Sequence, residues 1–100
     1  MVITTRKWDA AEHLETEADI VAYLDAVMQE GDLALVCKAL GDVARSRGMT
    51  EIARKTGMSR ESLYKALSDK GNPSLSTVAS VLDALGLRLA IAEREPTRAA

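Results

Sequence analysis

The feature that most constrains the fold is a glycine break between two short amphipathic segments in the middle of the chain. The first segment, 49–56, reads as a short helix, and Gly57 directly after it supplies the left-handed backbone favoured just past a helix end. Ser59 is a preferred N-cap residue, so a second short helix is predicted over 59–68. The chain is therefore expected to fold here as a helix, a tight turn and a helix.

Three side chains around this break have the spacing of a helix-turn-helix unit. Such a unit needs a small residue where its helices cross, a turn residue that accepts positive φ, and an apolar anchor on the second helix. Ala53, Gly57 and Leu63 meet these needs in that order. Met58 and Leu63 also have the spacing of a hydrophobic staple, which sets the angle between the helices. A helix-turn-helix is therefore predicted at 48–68.

The outer face of the second helix is the candidate DNA-reading surface. With Leu63 turned inward, Arg60 and Lys65 lie on the outer side, where Arg60 can pair with guanine and Lys65 with guanine or a phosphate. Tyr64 either packs or donates to a phosphate. A solvated charged face on an ordinary helical hairpin is the alternative interpretation. The full set of predicted DNA contacts is Thr50, Ser59, Arg60, Glu61, Ser62, Tyr64, Lys65, Lys70 and Asn72.

The composition favours an all-α domain. The chain has 100 residues, of which 47% are hydrophobic, and this is enough for the packed core of a single domain. Aromatic residues make up only 3% and Phe is absent, so the core must consist mainly of aliphatic side chains, which suit helices better than a β-sandwich. The predicted fold class is all-α, with five helices, a helix-turn-helix and a short C-terminal β-strand.

Apolar residues that recur with the helical period predict three further helices. Two lie at about 17–30 and 33–47, and the last is capped by Ser74 and ended by Gly86. Gly41 lies inside the second of these helices, where glycine costs roughly 1 kcal/mol relative to alanine. The expected compensation is the close approach of a neighbouring helix.

The segment 87–93 alternates with period two, which predicts a single strand with Leu87, Leu89 and Ile91 on one face. A lone strand leaves backbone N–H and C=O groups unpaired, and no other segment reads as its partner. We expect it to pair with its own copy in a homodimer or to join the sheet of a protein partner. The predicted organisation is an arm with a short helix at 1–15, a helical DNA-binding domain at 16–86, the strand at 87–93 and a tail at 94–100.

The charges are unevenly distributed along the chain, although the net charge is only −2. Residues 1–43 hold three Lys/Arg against nine Asp/Glu, whereas residues 44–70 hold seven against three. Residues 71–100 are balanced at three against three. The predicted helix-turn-helix therefore lies in a basic region behind an acidic N-terminal part, as a phosphate-binding surface requires.

The single Cys and His residues exclude the common disulfide and zinc sites. Cys37 is the only cysteine and His13 the only histidine, so neither an intrachain disulfide nor a cysteine–histidine metal cluster can be assembled. Cys37 lies in a helical apolar pattern, where buried packing is expected. Because no Gly-rich phosphate loop follows a strand either, we predict no metal, no cofactor and no enzymatic activity.

Hydropathy along the chain indicates a cytoplasmic protein. No stretch approaches the roughly 18 to 20 apolar residues that span a bilayer. The first seven residues lack the hydrophobic core of a signal peptide. We therefore expect no membrane partner.

The central segment resembles a known DNA-binding unit. Residues 48–67, GMTEIARKTGMSRESLYKAL, are followed by GNPSL at 71–75. Together they are similar to the phage-repressor type (Xre/Cro) of helix-turn-helix domain. This resemblance implies a repressor-like domain that binds double-stranded operator DNA.

Further segments extend the resemblance over nearly the full chain. They are Trp8-Asp9, Thr16-Glu17, Ala22-Tyr23-Leu24, Gly31-Asp32, ALGDVAR at 39–45 and SRESLYKAL at 59–67. Together they resemble the probable addiction-module antidote proteins, antitoxins that are paired with toxins of the RelE/ParE superfamily. The resemblance implies a chain that neutralises its toxin and represses the operon encoding both. A toxin acting on RNA is expected to be basic, so the acidic residues within 9–42 are expected to provide much of the toxin contact.

Two other functions remain open at this point. The chain can be a free-standing Xre-type regulator without a toxin, which the neighbouring genes would decide. It can also be a protein-interaction module that keeps the fold without binding DNA. The acidic net charge favours that module, whereas the basic region at 44–70 favours DNA binding.

Overall fold

Five α-helices follow one another along residues 16–94, the part of the chain that this computed structural model describes. They are α1 (Glu17–Glu30), α2 (Leu33–Arg47), α3 (Met49–Thr56), α4 (Arg60–Ala66) and α5 (Leu75–Ala84). Residues 16–94 contain no strand, so the described part is all-α, as predicted. The expected arm at 1–15 and the tail from residue 95 onward lie outside the described residues.

The ends of α1 and α2 are set by side-chain caps, and both helices have the predicted bounds. The Thr16 hydroxyl accepts from the Asp19 N–H at 3.0 Å, and the Asp19 carboxylate accepts from the Thr16 N–H at 3.1 Å, which completes a capping box. Gly31 ends α1 with a φ of 78°. Asp32 then caps α2 by accepting from the Ala34 and Leu35 N–H groups.

The inward faces of all five helices form one aliphatic core. Its largest fully buried side chains are Ile20, Leu40, Val43, Ile52, Leu63 and Val81. Fully burying one such side chain contributes about 1.5–3 kcal/mol relative to leaving it in water. Because every helix supplies at least one of these residues, the helices are held to a common centre.

Gly41 in α2 allows a close approach by the end of α4. A Cβ added at this position would overlap the carbonyl oxygen of Leu67, which lies at the end of α4. The predicted close approach of a neighbouring helix at Gly41 is therefore confirmed. It brings the end of α4 directly against α2.

Asp42 is the only charged residue that is buried within residues 16–94, and it joins α1 to α2. The Tyr23 hydroxyl of α1 donates to its carboxylate at 3.1 Å. Arg45 forms an ion pair with the same carboxylate, and the Lys38 ammonium lies 3.6 Å from it. A buried carboxylate needs such partners, since an unpaired charge in the core is strongly destabilising.

The helix α4 ends at Ala66, two residues before the approximate end at Ser68 that the sequence predicted. Leu67 leaves helical geometry with a φ of −101° and a ψ of 54°, and the Ser68 hydroxyl donates to the Lys65 carbonyl at 3.0 Å. The last helix, α5, is capped by Ser74 and stops before Gly86, as predicted.

Cys37 is half-buried, so the prediction of buried packing was too strong. Its Sγ lies 4.0 Å from the carbonyl oxygen of Gly71. The thiol is at the edge of the buried stripe of α2, where it faces the loop before α5 and not the core.

No helix within residues 16–94 is long and apolar enough to cross a membrane.

The segment after α5 forms neither a helix nor a strand up to residue 94. Leu87 is half-buried and packs against the core, and its N–H donates to the Leu82 carbonyl at 2.8 Å. Leu89 is 43% exposed and Ile91 is completely exposed. A strand exists only when a second strand pairs with its backbone, and no such strand lies within the described residues. The strand at 87–93 therefore stays a prediction.

We predict that Gly41→Ala destabilises the fold although alanine is the better helix former. The added methyl group must push the end of α4 away from α2, and overpacking of this kind typically costs about 1–3 kcal/mol. Urea unfolding measures the loss. An unchanged or increased free energy of unfolding would contradict the close packing of α2 and α4.

We also predict that Tyr23→Phe destabilises the fold in a pH-dependent manner. Removing a hydrogen bond to a charged acceptor lowers the free energy of unfolding by about 1.5–3 kcal/mol at neutral pH. Burial, and then the negative charge and hydrogen bond of Asp42, raise the pKa of Tyr23 from 10.0 to about 12. Because the folded-state pKa is the higher one, this stabilisation is fully present below pH 10 and is lost as the pH rises through about 12.

The pH dependence is checked by urea unfolding of both proteins between pH 7 and 12. The difference in unfolding free energy between the natural chain and Tyr23→Phe should shrink above pH 10. A difference that stays constant over this range would show that Tyr23 keeps no special environment in the fold.

Candidate nucleic-acid interface

The helices α3 and α4 meet at a tight left-handed turn. The N–H groups of Gly57 and Met58 both donate to the Ala53 carbonyl, at 2.9 and 3.2 Å, and Gly57 has a φ of 77°. Ala53 is 7% exposed and Leu63 is completely buried. The small residue, the turn glycine and the apolar anchor therefore occupy the positions that the sequence predicted for them.

Ser59 begins α4 as the expected N-cap. Its hydroxyl accepts from the Ser62 N–H at 3.0 Å and lies 2.9 Å from the Ser62 hydroxyl. This cap typically stabilises a helix by about 1 kcal/mol. The two serines lie on the candidate surface, but Ser59 already has a structural role there.

All nine predicted contact residues are exposed, whereas Leu63 and Leu67 on the same stretch are buried. Tyr64 is 42% exposed, so its ring does not belong to the core. Because the anchor residues point inward, α4 presents its predicted contact residues to solvent as one continuous face. Thr50 lies apart from them, near the start of α3.

Four of the predicted residues line one open depression of about 490 Å³ between α4 and the loop before α5. Of these four residues, Ser62 and Lys65 belong to α4, and Lys70 and Asn72 belong to the loop. Ser59, Arg60, Glu61, Tyr64 and Thr50 do not line it. The depression is the place where α4 and the loop together offer hydroxyl, ammonium and amide groups.

The loop is held against α4 by contacts that the sequence analysis did not include. Gly71 passes so close to the Ala66 carbonyl that a Cβ there would overlap it. The Gly71 N–H donates to the Ser68 carbonyl at 2.9 Å, and the Ser68 hydroxyl accepts from the Lys70 N–H at 3.3 Å. Ser68 also lines the depression. In the sequence, Ser68 stands at the end of a short helix and three residues before Gly71, and this pattern was the signal from which the held loop could have been predicted.

The positive charges of residues 44–70 fall into two groups. Four of the seven Lys/Arg residues form ion pairs with carboxylates, and these are Arg45, Arg47, Arg54 and Lys55. Within residues 16–94, Arg60, Lys65 and Lys70 form no ion pair. Within residues 16–94, the cations of this region that form no ion pair therefore lie on α4 and on the loop that follows it, where the acids Glu61 and Asp69 form no ion pair either.

This arrangement supplies the donors that nucleic acids require. Phosphate oxygens accept hydrogen bonds from Lys, Arg, Ser and Asn side chains, and base edges are read by Arg, Lys and Asn. A metal-binding arrangement is not seen, since residues 16–94 contain no group of three or more His, Cys, Asp or Glu placed to hold an ion. The surface is suited to binding by hydrogen bonds and charge.

Comparison with known proteins identifies the family. Residues 4–93 match the family described as "Probable addiction module antidote protein". The chain belongs to this antidote family. It is also 49% identical over 86 residues to an uncharacterised protein of Haemophilus influenzae, and the match covers 86% of this chain and 89% of that protein. No solved structure gives a significant match.

The family match confirms the resemblance to the probable addiction-module antidote proteins. The match includes all five helices and nearly all of the segment that follows α5. An antidote acts against a toxin, so a cognate toxin is implied as the partner of this antidote-family chain.

Proposed function

We propose that this antidote-family chain is the antitoxin of a type II toxin-antitoxin module. In this proposal it neutralises a toxin of the RelE/ParE superfamily and represses its own operon by binding operator DNA. The observation that carries the DNA-binding part is that Arg60, Lys65 and Lys70 are exposed on α4 and its loop and form no ion pair within residues 16–94, while Leu63 is buried. The chain has no catalytic role in this proposal.

In the proposed complex, α3, the turn and α4 act as an Xre-type helix-turn-helix with α4 in the major groove. Arg60 in the first turn of α4 pairs with a guanine, and Lys65 contacts guanine or phosphate. Lys70 and Asn72 in the adjacent loop hold the phosphate backbone, and Thr50 contacts it from α3. Phosphate contacts position the helix, and the Arg60 contact supplies sequence preference.

The pattern of ion pairs supports DNA binding over an inert charged face. An exposed charge that has only to keep a surface soluble can pair with a neighbour, as Arg54 and Lys55 both do with Glu51 on α3. Within residues 16–94, Arg60, Lys65 and Lys70 form no ion pair, although Glu61 and Asp69 lie on the same helix and loop. The electric field of these cations attracts a polyanion, and binding would release the counterions of that polyanion.

A homodimer joined through the predicted strand at 87–93 completes the proposed repressor. Leu89 and Ile91 expose apolar surface that pairing would cover, together with Leu87. A two-fold axis would direct two copies of α4 toward successive major grooves, about 34 Å apart. The operator should therefore contain inverted half-sites.

Helix α1 is the proposed contact for the toxin. It carries four exposed carboxylates and no Lys or Arg, and these carboxylates belong to Glu17, Asp19, Asp25 and Glu30. An RNA-directed toxin carries positive charge to bind its substrate, so opposite fields accelerate the encounter with α1. This effect does not require that α1 imitate a nucleic acid in shape, because the attraction between opposite charges is non-specific and precedes docking.

We predict that Arg60→Ala and Lys65→Ala weaken operator binding in different ways. Loss of a bidentate guanine contact at Arg60 should cost about 1–3 kcal/mol and relax the preference for one base pair. Loss of a phosphate contact at Lys65 should weaken all sequences alike and lower the slope of log affinity against log salt by about 1. Fluorescence anisotropy with operator and random duplexes separates the two effects.

The control is Lys38→Ala, which removes one exposed positive charge from α2, outside the residues proposed to contact DNA. It also removes one partner of Asp42, which Tyr23 and Arg45 still hold, so its free energy of unfolding is measured beside its affinity. It should leave operator affinity nearly unchanged. The DNA-binding proposal fails if the Arg60→Ala, Lys65→Ala double variant is folded and binds its operator as the natural chain does.

We predict that Glu17→Gln together with Glu30→Gln slows association with the toxin. Neither residue caps a helix, and the only ion pair lost within residues 16–94 is the exposed 3.9 Å contact of Glu17 with Arg47, so the fold should survive while the charge of α1 falls by two. Stopped-flow association at several salt concentrations measures the effect. Asp69→Asn, an exposed acid in the loop after α4, is the control and should leave the rate unaltered.

The toxin part of the proposal has its own contradicting outcomes. It is abandoned if the α1 double variant and a chain lacking residues 1–14 both keep the natural association rate and salt dependence. It is equally abandoned if no toxin-like reading frame adjoins the gene, in which case a free-standing regulator is the remaining function.

A further inference from the structure

An open apolar groove of about 670 Å³ lies between α1 and the segment that follows α5. One wall is the α1 face with Val21 and Met28, which are 49% and 39% exposed. The other wall carries Leu87 and Leu89, and Leu82 of α5 also lines the groove. Large apolar side chains that share an exposed recess favour an occupant that removes them from water.

The charges at this groove have both signs. Asp25 of α1 and Asp83 of α5 line it, as does Arg88 of the following segment. Within residues 16–94, neither Asp83 nor Arg88 forms an ion pair, and Arg88 makes only a 3.5 Å contact with the carbonyl of Leu89. An occupant with a basic group near its apolar part would therefore match the carboxylates.

The chain itself carries an apolar projection of this kind. Ile91 is completely exposed and does not line the groove of its own chain, although it lies one residue beyond Ala90, which does. Arg88 is three residues away on the same segment. A recess and a projection on one surface patch are what a two-fold interface needs, because each copy supplies both halves of the contact.

We propose that the groove between α1 and residues 87–90 receives Ile91 of a second copy of this chain. This inference rests on the proposed homodimer and adds to it a receptor surface on α1. Seated there, Ile91 covers Val21 and Met28, and Arg88 of each copy meets the carboxylates of Asp25 and Asp83 on the other. The interface is then a strand pair flanked by two identical groove contacts, rather than a strand pair alone.

A second copy suits the groove better than the toxin does. The projection and the recess are both on this chain, and Arg88 supplies one cation for the carboxylates of Asp25 and Asp83, so a two-fold pairing brings all of them together. The exposed acids Glu17 and Glu30 do not line the groove. They remain available on α1 for the toxin while the groove is occupied by the second copy.

Disulfide trapping tests the contact directly. In a Cys37→Ser background, one tagged chain carries Met28→Cys and a second, differently tagged chain carries Ile91→Cys, and the two are co-expressed and oxidised briefly. We expect a cross-linked heterodimer in high yield. Leu33→Cys paired with Ile91→Cys is the matched control, because Leu33 is 76% exposed but does not line the groove, and it should give little product. Equal or absent cross-linking in both pairs overturns the proposal.

Sedimentation of charge variants tests whether the contact holds the dimer. Met28→Glu and Ile91→Glu should each sediment as monomers at 10 μM, whereas Leu33→Glu should remain a dimer like the natural chain. Circular dichroism confirms that each variant is folded. A Met28→Glu variant that stays dimeric overturns the groove contact, and if it also loses the toxin, the groove belongs to the toxin instead.

These outcomes are distinguishable from failure of the proposed function. Neither cross-linking nor sedimentation uses DNA or toxin, so a natural chain that binds no operator rejects the repressor role while leaving the groove contact measurable. Conversely, a natural chain that binds its operator but sediments as a monomer at 10 μM overturns the groove contact together with the proposed homodimer, and leaves the DNA-binding proposal standing.

Discussion

The burial of Leu63 is the interaction on which the candidate interface depends. Helix α4 has only seven residues, which is far too short to be stable by itself in water. It exists because Leu63 and Leu67 enter the core, and Gly41 lets the end of the helix rest directly on α2. The same burial determines that Arg60 and Lys65 face solvent. The packing that stabilises α4 thus also places its cations at the surface.

The helices could be predicted from the sequence where local chemistry sets their ends. The side chains of Thr16 and Asp19 cap α1, and the side chain of Asp32 caps α2. Gly57 turns the chain through a backbone conformation that few other residues adopt. The end of α4 was predicted less precisely, because Leu67 leaves helical geometry without a glycine or proline at that position to mark it. The strand at 87–93 stays a prediction, because no segment of residues 16–94 pairs with it.

The candidate site was predictable in its exposed residues but not in its charge balance. Spacing from Leu63 places Arg60 and Lys65 outward, whereas the neutralisation of Arg47 by Glu17 brings together residues 30 positions apart. The role of Asp42 depends likewise on the approach of Tyr23 from another helix. Contacts between helices therefore determine which cations of the basic region stay available, and sequence spacing alone does not reveal them.

The most direct test of the account is the affinity of the natural chain for the DNA immediately upstream of the operon that contains its gene. Fluorescence anisotropy against that duplex and a scrambled duplex, between 50 and 200 mM salt, measures both specificity and charge. The account predicts binding to the upstream duplex at least about 10³-fold tighter than to the scrambled one. It also predicts a steep loss of affinity as salt rises, because phosphate contacts release counterions. Equal affinity for both duplexes, or affinity that does not respond to salt, would contradict it.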